Sequence, residues 1–182
     1  MRISFGTMIA NAWRTRFLRH LAVEARTAVS NPDAVVRNTR DAAQRLFDGR
    51  TGSMPDKQAR MIVGMCSLVL AAYRELCAGG LDSKQASETA RRAFYRTYQA
   101  PTKLMTRVML ALSSDPVRAL SRRSLKAMSE RMYGSTMGFD QEVSPHSVDL
   151  LVNRCAFHQF FSDNGNRSSP RSSADGTGTG WM

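Results

Sequence analysis

The sequence predicts a mainly α protein with a small α+β C-terminal part: an N-terminal helical bundle followed by a short β-hairpin and a Cys-containing helix. Three observations predict it. Up to residue 133, apolar residues recur at intervals of three and four between Pro- and Gly-bearing breaks, the spacing of amphipathic helices. From Gly134 the punctuation tightens, and two short apolar runs flank Ser144-Pro145-His146-Ser147, a turn sequence. After Gly165 almost nothing remains to bury. The expected organisation is a helical region over 1–133, an α+β segment over 134–165 carrying Cys155, and a disordered tail over 166–182. At 182 residues with 42% hydrophobic side chains, the chain suits one folded unit with loose ends.

In chain order, Thr7 to about Ala28 places Met8, Ala12, Phe17, Leu18, Leu21 and Ala25 near helical spacing. Its first part, Met1 to Val23, carries Arg2, Arg14, Arg16 and Arg19 with no acid. Gly6 and Asn11 interrupt it and no compact apolar core precedes a small-residue cleavage site, so it reads as a basic helix rather than a targeting segment. Asn31-Pro32 pairs an N-cap with a proline at the first helical position and opens a helix towards Leu46. Asp48 to Ser53 is a loop around Gly49 and Gly52. Pro55-Asp56 starts the most apolar helix, with a wide stripe of Met61, Ile62, Met65, Leu68, Val69, Ala72, Tyr73 and Leu76 that marks a central packing element. Gly79-Gly80 ends it.

Asp82 with Gln85 resembles a capping box and begins a helix with Ala86, Ala90, Ala93, Phe94 and Thr97 inward and Arg91, Arg92 and Arg96 off that stripe. Pro101 begins or kinks a further segment through Leu104, Met105, Val108 and Leu112. Asp115-Pro116 repeats the cap-then-proline start and leads through Val117, Leu120, Leu125, Met128 and Met132 to Gly134. Phe139 to Val143 and Val148 to Val152 are the strands of the hairpin, and Asn153-Arg154 interrupts the second. From Cys155 the spacing of Phe157, Phe160 and Phe161 turns helical, with Gly165 as its stop.

Charge and cysteine content bound the function classes. The formal net charge is +11, and Lys84 to Arg131 is dense in Lys and Arg against only Glu88, Asp115 and Glu130. Such a field favours anionic partners, whether nucleic acid, acidic lipid or a small carboxylate. The arginines lack a nucleic-acid motif and interleaved stacking aromatics, so specific nucleic-acid binding is not the expectation. Cys66, Cys77 and Cys155 are an odd set without CxxC spacing, which argues against a disulfide framework or a zinc site and for a reducing, cytoplasmic setting. No cofactor or metal is expected, and the eleven Met are spread through helices as core filling. No run approaches the ~18 apolar residues of a membrane span. A Gly-rich phosphate loop, GxSxG and HExxH are all absent from the sequence.

The residue types suited to chemistry crowd between Val148 and Gly165. A strand turning into a helix there puts Asn153, Arg154 and Cys155 near unpaired backbone N–H groups, which favour an anion or a thiolate. His158 follows Cys155 by three positions, close to the same helical face. Cys155 is the candidate nucleophile, His158 the candidate acid/base, and Arg154 with Asn153 the candidate substrate-binding pair. The plainer alternative is Cys155 and three Phe in a core, with His158 and Arg154 facing water. The residue types leave both readings open.

Two stretches carry a resemblance. Leu70-Ala-Ala-Tyr-Arg-Glu-Leu-Cys-Ala-Gly-Gly-Leu-Asp, then Ala86 and Pro101, form the first. Phe139-Asp-Gln-Glu-Val followed by Val152-Asn-Arg-Cys-Ala-Phe-His-Gln-Phe-Phe-Ser-Asp-Asn-Gly form the second. Together, over residues 55 to 165, the chain resembles bacterial L-2-amino-thiazoline-4-carboxylic acid hydrolase-like proteins. The resemblance implies a hydrolase that opens a cyclic amidine carboxylate to a carbamoyl-cysteine, with Cys155 as the family's first cysteine and a small anionic substrate. The family continues after its glycine with Pro-Glu-Leu, a second Cys near an Asp, and further strands. This chain instead runs into a Ser/Gly/Thr tail ending at Trp181-Met182. The expectation is a frameshift or early stop that removes the second half of the site, which the coding DNA would reveal. The other class of function compatible with the residues is a non-catalytic basic helical protein that binds or regulates an anionic partner, nucleic acid or a membrane surface.

Overall fold

A computed structural model describes residues 5–50, 54, 56–111, 124–144 and 147–164. Helices α1 (Phe5–Ala25), α2 (Pro32–Asp48), α3 (Lys57–Ala78), α4 (Ser83–Ala111) and α5 (Ser124–Tyr133) come first. A 3₁₀ turn, Gly134–Thr136, then leads into β1 (Gly138–Val143), β2 (Val148–Arg154) and α6 (Ala156–Asp163). The mainly helical architecture with a small hairpin after the helices is the one the sequence predicts.

Local chemistry sets most of the boundaries. The Asn31 side chain accepts from the Ala34 amide at 3.1 Å, with Pro32 in the first helical turn of α2. Asp56 caps α3 through the Ala59 amide at 2.6 Å, and Asp82 caps α4 through the Gln85 amide at 2.8 Å. At the end of α3, Leu81 N–H donates to the Leu76 carbonyl and Gly80 N–H to the Cys77 carbonyl. Gly80 has φ +101, so this is a Schellman turn, sealed by burial of both Leu76 and Leu81.

Helix α3 organises the packing. One side of it, with Leu68, Ala71, Ala72 and Leu76, meets Phe17, Leu18, Leu21 and Ala25 of α1, Val35 and Ala43 of α2, and Ala86, Ala90 and Ala93 of α4. Its other side, with Ile62, Cys66 and Leu70, meets Met137, Phe139 of β1 and Phe160 of α6. A helix covered on two sides must be apolar nearly all round. That is why α3, with a mean hydropathy of 1.6 over its most apolar window, is long and apolar enough to cross a membrane by length and composition, although the run-length argument found no such segment. Half of that window is buried inside the fold.

Helices α1 and α4 are joined by an ion pair and an aromatic cluster. Glu24, buried at 8% exposure, receives Arg92 Nε at 3.0 Å and Arg96 Nη1 at 2.8 Å. Trp13 stacks on Phe17 with centroids 5.5 Å apart and meets Phe94 and Tyr98 at 5.9 and 5.8 Å. The Tyr98 hydroxyl donates to Met65 Sδ at 3.1 Å, and burial pushes its pKa up.

Two expectations are corrected. Helix α4 continues through Pro101, so of the two alternatives, a start or a kink, no element begins there: the lost N–H and the crowding of the carbonyl four residues back can bend a helix without ending it. Leu104 and Val108, beyond it, are 65% and 48% exposed. Asn153 and Arg154 do not interrupt β2 but belong to it. Gly138 pairs with Arg154 while Phe139 pairs with Val152, so Asn153 is the extra residue of a bulge, which is how an apolar pattern breaks without ending a strand. Helix α6 ends at Asp163, with Asn164 at its cap and the Asn164 side-chain amide donating to the Phe160 carbonyl at 2.7 Å. The expected stop at Gly165, the tail over 166–182, the Asp115-Pro116 start and the Pro145-His146 tip lie outside the described residues.

Candidate functional site

The segment singled out by sequence forms the junction of β2 and α6. Asn153, exposed, donates from Nδ2 to Asp140 Oδ2 across the hairpin at 2.7 Å. Arg154, also exposed, donates from Nη2 to the Ser135 carbonyl at 2.7 Å, tying the strand to the 3₁₀ turn. That turn is itself held by Asp56, which accepts from Ser135 N–H at 3.3 Å and Ser135 Oγ at 2.9 Å, and these bonds with the α3 cap hold its carboxyl below the usual range. The two candidate substrate-binding side chains are thus engaged in the hairpin's own bonds.

Cys155 is the N-cap residue of α6, with extended backbone (φ −122, ψ 108) and no side-chain cap bond. It is half-buried and packs against the cluster of Ile62, Cys66, Leu70, Phe139 and Phe160. Burial, and secondarily Cys155, push the pKa of the Cys66 thiol up, so Cys66 is an inert core thiol. His158 is exposed on α6. A cap residue is not yet helical, so its side chain does not follow the i, i+3 rule, and Cys155 packs inward while His158 faces solvent. Among the described residues no group of three or more His, Cys, Asp or Glu side chains is placed to hold a metal ion.

A groove of about 400 Å³ opens elsewhere, between α1 and α2. Arg14, Thr15, Leu18, Arg19 and Ala22 of α1 line it together with Val36 and Arg40 of α2. Thr15, Leu18, Arg19 and Ala22 fall on one face of α1 by their three- and four-residue spacing. Three arginines and no acid are among the lining residues. The ion pairs of the described residues are made by Arg50, Arg91, Arg92, Arg96 and Lys126, and none involves Arg14, Arg19 or Arg40. The positive field reaches His20 on the same helix: its pKa lies below the ordinary 6.5, through burial first and then Arg19, Arg96 and Arg16, with Glu24 opposing.

No family model, no curated protein and no solved structure matches this chain.

Sequence reasoning passed over the groove because it requires two helices to meet. A signal was present all the same. The first 23 residues contain four arginines and no acid, so those on α1 meet no acid before Glu24.

Proposed function

We propose that this chain is a non-catalytic basic helical binding protein that receives an anionic partner on the α1–α2 face. The observation that carries the reading is the groove itself: Arg14, Arg19 and Arg40 line one depression together with Leu18, Ala22 and Val36, without a carboxylate in its wall. Exposed arginines on amphipathic helices usually stand among acids or apart. Three that share a wall and leave their charge uncompensated hold an unfavourable arrangement that an anion relieves.

Retention on immobilised heparin, eluted with salt, tests this. The variant Arg14→Gln/Arg19→Gln/Arg40→Gln is compared with Arg60→Gln/Lys84→Gln/Arg107→Gln, which removes the same charge from exposed positions outside the groove. The groove variant is expected to elute at distinctly lower salt, because counterion release counts the contacts actually made. Equal losses from the two variants would reduce the effect to net charge and sink the reading.

One observation favours a second reading. Cys155 heads α6 with its side chain unused in capping, and the resemblance to the thiazoline-carboxylate hydrolase-like proteins assigns that position to their first cysteine. On this reading the chain opens 2-amino-thiazoline-4-carboxylate with Cys155 as nucleophile, while His158, which faces solvent, is not paired with it. Release of carbamoyl-cysteine by the purified chain, abolished by Cys155→Ala, is its expected result. Turnover unchanged in Cys155→Ala, or absent in both, removes it.

A further inference from the structure

We propose that the α1–α2 groove is a binding site for an anionic amphiphile, a carboxylate or phosphate head carried on a short apolar body. The inference rests on the anion-binding reading above and gives that site its ligand class. The head is argued from the rim. Arg14 and Arg19 on α1 and Arg40 on α2 are exposed, and a guanidinium presents paired N–H groups that match carboxylate and phosphate oxygens bidentately. The Thr15 hydroxyl donates to the Asn11 carbonyl at 2.9 Å, so it offers the head no proton and leaves it to the arginines.

The body is argued from the floor. Leu18 beneath is already buried, but Ala22 and Val36 are only partly buried, and an inorganic ion held at the rim would leave their exposed surface wet. A backbone phosphate of a polymer would do the same. An apolar chain laid along the floor removes that surface from water while its head neutralises the rim, so both parts of the wall are used at once. The volume of about 400 Å³ suits such a molecule: small-molecule sites run roughly from 300 to 1,000 Å³. A neutral amphiphile would fill the floor and leave three cations uncompensated, and a cationic one would be repelled.

Calorimetric titration of the full chain at low salt, below micelle formation, decides it with octanoate, octyl phosphate, inorganic phosphate and octanol as probes. Octanoate and octyl phosphate are expected to bind with one-to-one stoichiometry, about tenfold or more tighter than inorganic phosphate, with a negative heat-capacity change from apolar burial. Arg14→Gln/Arg19→Gln/Arg40→Gln is expected to weaken them about tenfold or more. Ala22→Leu, which fills the floor and keeps the rim, is expected to weaken octanoate and leave inorganic phosphate unchanged. The Arg variant alters only exposed side chains, and circular dichroism of both variants separates lost binding from lost fold.

Co-sedimentation with phosphatidylserine-containing vesicles distinguishes the sources of the head. Sedimentation that depends on the three arginines assigns a lipid headgroup. Octanoate binding without sedimentation assigns a free amphiphile. Inorganic phosphate binding as tightly as octanoate overturns the amphiphile assignment and leaves the anion-binding reading standing. Failure of every anion to bind, with equal heparin retention in the two charge variants, overturns both.

Discussion

Gly134 shows how one backbone angle fixes the join between bundle and hairpin. Its φ is +64, and a Cβ there would lie 2.9 Å from both Asp56 Oδ2 and Gln58 Cβ. A left-handed angle costs an L-residue about 1–2 kcal/mol before any collision. Gly134→Ala is therefore expected to lower stability by about 2 kcal/mol or more in urea denaturation, and an unchanged midpoint would show that the turn relaxes freely. His20 gives the second residue-level prediction. Its folded pKa lies below 6.5, so between that value and 6.5 the unfolded chain takes up a proton that the folded chain refuses. Stability should fall as pH drops through this window. His20→Gln should remove that part of the slope, and Arg19→Gln should move the His20 NMR titration up towards 6.5, since Arg19, Arg96 and Arg16 depress it and only Glu24 opposes them. A titration unmoved by Arg19→Gln would remove Arg19 from the causes and leave burial with Arg96 and Arg16. At this scale the sequence was informative about caps and turns, where one residue type meets one backbone need, as at Asn31, Asp82 and Gly80. It was poor at orientation, since Cys155 and His158 share a spacing but not a surface.

At the scale of elements, α3 divides the fold into two packed regions. The periodicity of Ile62, Met65, Leu68, Ala72 and Leu76 made this helix legible as the centre, but not that its opposite side receives β1 and α6. Hydrophobic pattern states how much of a helix is buried, and the neighbours come from topology. The same limit explains Pro101. A proline removes one donor, and the sequence alone does not say whether the helix around it is held by packing on either side. The hairpin was legible because a polar turn between two apolar runs is a local device, whereas the bulge at Asn153 depends on its partner strand. A prediction follows for the smaller region. Phe160 is 4% exposed, packs with Met137, Phe139, Ile62 and Leu70, and lies 4.8 Å from the Arg50 guanidinium. Phe160→Ala should cost about 3–5 kcal/mol within this region. Amide exchange should accelerate in β1, β2 and α6 while α1, α2 and the first half of α4 keep their protection. Uniform acceleration through all helices would mean that the two clusters unfold as one.

For the whole molecule, the excess of positive charge is a cost to the folded state, because folding gathers cations that the unfolded chain keeps apart. Part of that excess is absorbed: Arg92 and Arg96 clamp Glu24, and Arg50 reaches Asp163. The arginines of the α1–α2 groove are not absorbed in this way, and stability alone gives no reason to hold three of them around one depression. A site maintained for a ligand at the expense of the empty protein has a recognisable thermal behaviour. Without ligand and at low salt, Arg14→Gln/Arg19→Gln/Arg40→Gln should melt at a higher temperature than the natural chain. The difference should shrink as salt rises, since the screening length falls to about 3 Å at 1 M. Adding octanoate should raise the melting temperature of the natural chain more than that of the variant, because a weaker site gains less from the same ligand concentration. The opposite order at low salt, with the variant melting first, would make these arginines structural supports of the α1–α2 contact, and the charge of the groove would then need no ligand to account for it.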